Sequence, residues 1–153
     1  MGTRVHVLER RARVPRPLPE VFAFFSDARN LERITPEGLS FEILEVPARL
    51  AAGARIRYRL RLGGLPFEWR TLISVWEPPH RFVDVQEKGP YALWEHEHLF
   101  RASGAETEMV DRVRYRLPLW PLGEIGHPLD PPQVGDDLRL PGGESARAVR
   151  LAW

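Results

Sequence analysis

His96 and His98 lie two residues apart in a segment that alternates side-chain character, and Asp84 lies at the same parity in the segment before it. Successive side chains of a strand point to opposite faces, so residues at i and i+2 share one. Read that way, Phe82, Asp84 and Gln86 stand on one strand, and Trp94, His96, His98 and Phe100 stand on the next. If the other face is solvated, these side chains share a covered surface. An ordinary core seldom holds two imidazoles, a carboxylate and an amide, because each polar group buried without a partner costs roughly 1–3 kcal/mol.

Three chemistries fit this surface. In the first, apolar and aromatic side chains supply area for a small hydrophobic or amphipathic molecule, and a few polar groups orient it. Asp84, Gln86, His96, His98 and Asp111 are the orienting groups. Trp69, Trp94, Phe100 and Tyr115 line the wall, with Tyr58, Thr71, Phe82 and Met109 on the same face. In the second, His96 or His98 is the catalytic acid or base, held in one tautomer by Asp84 or Asp111, and it enolises a carbonyl or expels water from a hydroxyl. Tyr58 or Gln86 would then hydrogen-bond the developing oxyanion. In the third, the two histidines and one carboxylate resemble the ligand set of non-haem iron. An HxH pair is more often structural, so neither a metal nor another cofactor is expected. The plainest alternative for Asp84 and Asp111 is that they accept hydrogen bonds from buried histidines or indoles; for Trp69 and Trp94 it is that they are core aromatics.

The elements that carry these residues follow from the hydrophobic period. Residues 4–14 alternate loosely and read as a first strand. Pro19 suits the first turn of a helix whose apolar stripe is Val21, Phe22, Phe25, Ala28 and Leu31. Phe22, Phe24 and Phe25 then pack helix against sheet. Asn30 can restart a short helix that Pro36 stops. From residue 41 the period is two. Strands are expected over 41–46, 55–62, 67–76, 82–86, 94–100 and 107–117, joined by turns at 63–66, at Gly89-Pro90 and at 103–105. Short connections imply an antiparallel meander. Phe67, Trp69, Thr71, Ile73 and Val75 are expected on one side of the 67–76 strand. The opposite face carries Arg55, Arg57, Arg59, Arg61, Glu68, Arg70, Glu95, Glu97, Arg112, Arg114 and Arg116. Neighbouring strands set Glu95 and Glu97 beside Arg112 and Arg114, as on the solvated back of a sheet. His6, His80 and His127 lie near element ends and are expected to be solvated. Residues 118–143 are an irregular Pro/Gly-rich segment, and 144–153 look helical.

Composition narrows the class. The 153 residues suit one domain, 1–153, with an ordinary 43% hydrophobic and 28% charged content. A net charge of +1 gives no electrostatic case for nucleic acid. No cysteine is present, which excludes disulfides, thiolate metal sites and thiol nucleophiles. No stretch approaches the roughly 20 apolar residues of a membrane span, so stable membrane insertion is not expected. The basic start lacks the apolar stretch of a signal peptide, and a cytoplasmic location is expected.

PLPEVFAFFSDARNLERITP, RFVDVQEKGPYALWEHEHLF and TEMVDRVRYRLP resemble the bacterial START-like, polyketide cyclase/dehydrase-type proteins of the SRPBCC superfamily over about residues 4–123. The resemblance implies an α+β helix-grip fold (START-like, Bet v 1-like), a curved antiparallel sheet packed on helices with a cavity between them. It also implies a lipid- or polyketide-like ligand, or a polyketide cyclase or dehydratase using a pocket His-Asp pair. The chain departs from the family at its end. Pro128, Pro131, Pro132 and Pro141 forbid one long helix there. The grip is then short, displaced or completed by a second subunit, which makes a homodimeric interaction module a further alternative.

Overall fold

The computed structural model describes residues 4–30, 40–62 and 64–118, with the backbone of 137–139 and 145–147. Seven strands form one antiparallel sheet: β1 (His6–Val14), β2 (Ser40–Glu45), β3 (Arg55–Leu62), β4 (Leu65–Glu77), β5 (Arg81–Lys88), β6 (Leu93–Ser103) and β7 (Glu106–Arg116). Their spatial order is β1-β7-β6-β5-β4-β3-β2. Strands two to seven are therefore a meander, and the first strand returns to pair with the last. The expected strands are all present, and β4, β5 and β6 run a few residues longer than the alternation marks.

Helix α1 (Leu18–Phe25) follows β1 directly. Pro19 lies in its first turn, where a missing N–H costs nothing, and Glu20 faces the positive helix end. Leu18, Val21, Phe22 and Phe24 are buried and pack with Val14, Phe82, Phe100 and Met109. Phe22 meets Phe82 and Phe100 edge-on at 5.9 and 5.4 Å between ring centres. The phenylalanines are thus helix-on-sheet packing, as expected. A single 3-10 turn, Ala28–Asn30, comes next; the helix expected after Asn30 falls outside the described residues.

Two departures from the expected pattern change which residues face the core or which element forms. The pairing of β4 with β5 shifts between Ile73 and Val75. Ser74 is the extra residue of a β-bulge, and a bulge reverses the parity of the residues beyond it. Val75 therefore pairs with Val83 on the outer face, not with Trp69 and Ile73 as alternation implied. Trp76 turns inward against Phe22 and Phe82. Trp76→Ala should consequently cost about 3 kcal/mol, and Val75→Ala well under half of that. Urea unfolding of the two variants checks this, and the reverse order would contradict the bulge.

The second departure is at the C-terminal end. Ser145–Arg147 is a strand, β9, paired antiparallel with β8 (Asp137–Arg139), so the helix expected over 144–153 is not formed there. Pro141, Gly142 and Gly143 lie between the two strands, and such residues favour a reversal over a helix start.

The outer face carries the ion pairs that alternation places there. Arg112 meets Glu97 at 2.8 Å and Arg114 meets Glu95 at 2.9 Å. Arg57 bridges Glu45 and Glu68, and Glu87 receives both Arg55 and Arg70.

Candidate functional site

The inward faces of β5, β6 and β7 set three rows of side chains one above another. Nearest α1, Phe82 pairs with His98, and Phe100 with Met109. In the middle, Asp84 pairs with His96, and His98 with Asp111. At the far end Trp94 pairs with Tyr115. A polar quartet of buried His96, His98 and Asp111 with partly buried Asp84 therefore lies between two apolar clusters.

Phe82, Phe100 and Met109 belong to the packing under α1, and Phe82 stacks on the His98 ring at 4.1 Å. The aromatic cluster at the other end is built on Trp69, Trp94, Tyr58 and Tyr115. Trp69 stacks on Tyr58 at 5.9 Å and meets Trp94 edge-on at 5.4 Å. Tyr91 completes this cluster, 4.7 Å from Trp94. It comes from the β5–β6 loop, where no period marks a face. His6, expected to be solvated, is partly buried and stacks on Tyr115.

Gln86 has a different task from the one expected. Its amide nitrogen donates to the Tyr91 carbonyl at 2.7 Å, and its amide oxygen accepts from the Tyr91 N–H at 3.2 Å. Both ends of the amide are engaged in holding the loop. A Cβ at Gly89 would collide with the Gln86 side chain, so glycine there lets the amide reach Tyr91. The Tyr58 hydroxyl lies 3.5 Å from the Thr71 hydroxyl, and burial pushes its pKa up, keeping it a neutral phenol.

Within the quartet, His98 Nε2 is 3.0 Å from Asp84 Oδ2, and His98 Nδ1 is 2.8 Å from Asp111 Oδ1. His96 Nε2 is 3.3 Å from the same Asp111 oxygen, and His96 Nδ1 is 4.0 Å from Asp84 Oδ2. The imidazole centres are 3.8 Å apart, with the ring planes tilted by 33°. The Asp84–His98 contact has hydrogen-bond alignment, and Asp111 Oδ1 lies close to both imidazoles. Burial alone would lower the His98 pKa, but Asp111 and Asp84 outweigh it and raise the imidazole to about 9. Burial alone would raise Asp111, and His96 and His98 outweigh it, bringing the carboxyl down to about 2.

Both shifts set stability against pH. The share from His98, whose folded pKa is raised, is complete below its ordinary 6.5 and is lost as pH rises through about 9. The share from Asp111, whose folded pKa is lowered, is complete above 3.8 and is lost as pH falls through about 2. The contribution from this pair should be highest between about pH 4 and 6.5, falling on both sides. Urea midpoints across pH test this, with Asp111→Asn expected to flatten both arms.

One polar group in the aromatic cluster is left over. The Trp69 indole N–H is buried and has no hydrogen-bond acceptor among the described residues. A cleft of about 310 Å³ lies on the opposite face, over Val75 and Val83. Its flanking Arg81, Arg112 and Arg114 are all paired with glutamates, and it does not open onto the quartet. No helix among the described residues is long and apolar enough to cross a membrane.

Residues 14–129 match the family model described as polyketide cyclase / dehydrase and lipid transport. An uncharacterized protein of Mycobacterium tuberculosis is 26% identical over 104 residues, covering 68% of this chain and 46% of the relative. The chain thus spans about half the length of the curated relatives it matches. Among solved structures, a protein of Chromobacterium violaceum aligns with a TM-score of 0.63 at 14% identity, over 78% of this chain and 85% of that one. The Zhui aromatase/cyclase from Streptomyces sp. R1128 aligns at 0.62 and 18%, over 78% and 73%. Ara h 8.0201 aligns at 0.61 and 16%, over 81% and 86%. At these identities the likeness shows the fold, a helix-grip sheet of the expected kind.

Proposed function

We propose that this chain, which belongs to the polyketide cyclase / dehydrase and lipid transport family, binds a small amphipathic molecule, lipid- or polyketide-like, on the inner face of its sheet. The observation that carries the reading is the Trp69 indole. A buried N–H without an acceptor costs roughly 1–3 kcal/mol, and an oxygen of a bound molecule removes that cost. Trp69, Trp94, Tyr91 and Tyr115 supply the apolar contact around it, and the His–Asp quartet supplies a polar end wall. Gln86 is not among the orienting groups, because its amide is engaged by Tyr91.

Native mass spectrometry of the purified chain, followed by denaturing extraction, tests this. A retained amphipathic molecule is expected. Trp69→Phe keeps the ring and removes the N–H, and should weaken rebinding of that molecule about tenfold, the size of one hydrogen bond in a desolvated site. Unchanged rebinding would contradict the role given to Trp69.

A cyclase or dehydratase using His96 or His98 is the second reading, favoured by His–Asp contacts resembling those an acid–base residue needs, and by the fold shared with an aromatase/cyclase. It ranks lower because both nitrogens of His98 already face carboxylates, so a substrate would have to displace Asp84 to exchange a proton there.

A further inference from the structure

We propose that Asp84, His96 and His98 form a binding site for one first-row divalent metal ion, with Asp111 as the carboxylate that orients both imidazoles. One ligand atom from each of the three residues can be chosen so that all lie within 4.8 Å of one another. The nitrogens facing Asp84 Oδ2 are His98 Nε2 at 3.0 Å and His96 Nδ1 at 4.0 Å. Bonds of about 2.0–2.2 Å set ligand atoms about 3.0–3.4 Å apart around an ion, so a small turn of the His96 ring closes the set.

The remaining nitrogens make the stronger argument. His98 turns Nδ1 to Asp111 Oδ1, and His96 turns Nε2 to the same oxygen. The two rings thus use opposite nitrogens for the same pair of tasks. A metal-bound imidazole almost always presents its second nitrogen to a carboxylate or carbonyl that fixes its tautomer, and here one buried carboxylate does so for two rings. Charge agrees as well, since two carboxylates, Asp111 buried and Asp84 partly so, with both imidazoles neutral when bound, are balanced by one dication. Two nitrogens and one oxygen, with no thiolate in the chain, suit zinc, cobalt or ferrous iron over copper(I). The sequence led to the expectation of no metal because the HxH pair alone is uninformative; the placement of Asp111 opposite Asp84 is what alters that reading. The proposal does not depend on an organic ligand.

The test is a titration of the full chain, stripped with a chelator, with Co²⁺, read by visible ligand-field absorption, and with Zn²⁺, read by thermal unfolding. Saturation at one equivalent and a raised Tm with Zn²⁺ are expected. Asp84→Asn and His98→Gln should each abolish the cobalt bands, and Asp111→Asn, a positioning change, should weaken binding about 10–100-fold while keeping one equivalent. His6→Ala and His80→Ala should leave the cobalt bands and the one-equivalent saturation unchanged. Absence of bands and of any Zn²⁺-dependent Tm shift in the unaltered chain would overturn the proposal, whatever the variants do. A signal that survives Asp84→Asn, or that is lost with His6→Ala or His80→Ala, would assign the metal elsewhere and overturn it equally.

Discussion

Asp111→Ala is expected to destabilise the metal-free protein by about 3–5 kcal/mol, the cost of leaving a buried charge without its partner. Asp111 is 3% exposed and lies against both imidazoles, and His98 is 4% exposed. Without Asp111, His98 keeps only the Asp84 contact, and His96 loses its nearest carboxylate oxygen. Arg114→Ala, which breaks an exposed outer-face pair with Glu95, should have a far smaller effect, because solvent screens it. Guanidinium unfolding at pH 6 of both variants gives the comparison. Equal losses would mean that the quartet is no more tightly coupled than the surface lattice.

The second large effect runs in the opposite direction. Replacing the whole quartet with apolar residues, Asp84→Val, His96→Leu, His98→Leu and Asp111→Val, should leave the fold intact and its stability equal or higher by about 1–4 kcal/mol. A buried ionic cluster is costly to desolvate, and removing all members leaves no orphan. The four positions lie between two apolar clusters, on strands where branched aliphatic residues fit. The same variant should lose metal binding, and should lose the polar end wall for an amphipathic ligand. Thermal and chemical unfolding measure the first outcome, and ligand and Co²⁺ titrations the second. A variant that fails to fold would show that the quartet specifies the core and is not kept for function.

Much of this was legible in the chain because period two is a strong signal where strands are long and one face is charged. RIRYRLRL fixed β3 and its outward arginines, and the pairing of Glu95 and Glu97 with Arg114 and Arg112 followed from strand order. The convergence of Asp84, His96, His98 and Asp111 followed from the same parity. What alternation cannot give is position along the face. Phe82, Phe100 and Met109 share the parity of the site but lie under α1. A bulge leaves no mark in composition, so alternation puts Val75 on the inner face when it lies on the outer one. Tyr91 stands in a loop, and the partner of the Gln86 amide is its backbone, which no side-chain pattern reports. At the C-terminal end, residues 144–153 have the composition of a helix, but pairing with Asp137–Arg139 prevails at Ser145–Arg147.

Binding on the inner face is tested most directly by ¹H–¹⁵N spectra that record the backbone amides together with the indole N–H groups, with the Trp69 indole signal assigned by its loss in Trp69→Phe. On adding laurate or 1-naphthoate, the Trp69 signal should move downfield and Trp94 should shift with it, as an oxygen takes up the free N–H. Shifts confined to Val75, Val83 and the arginines of the outer cleft, with Trp69 unmoved, would contradict the site.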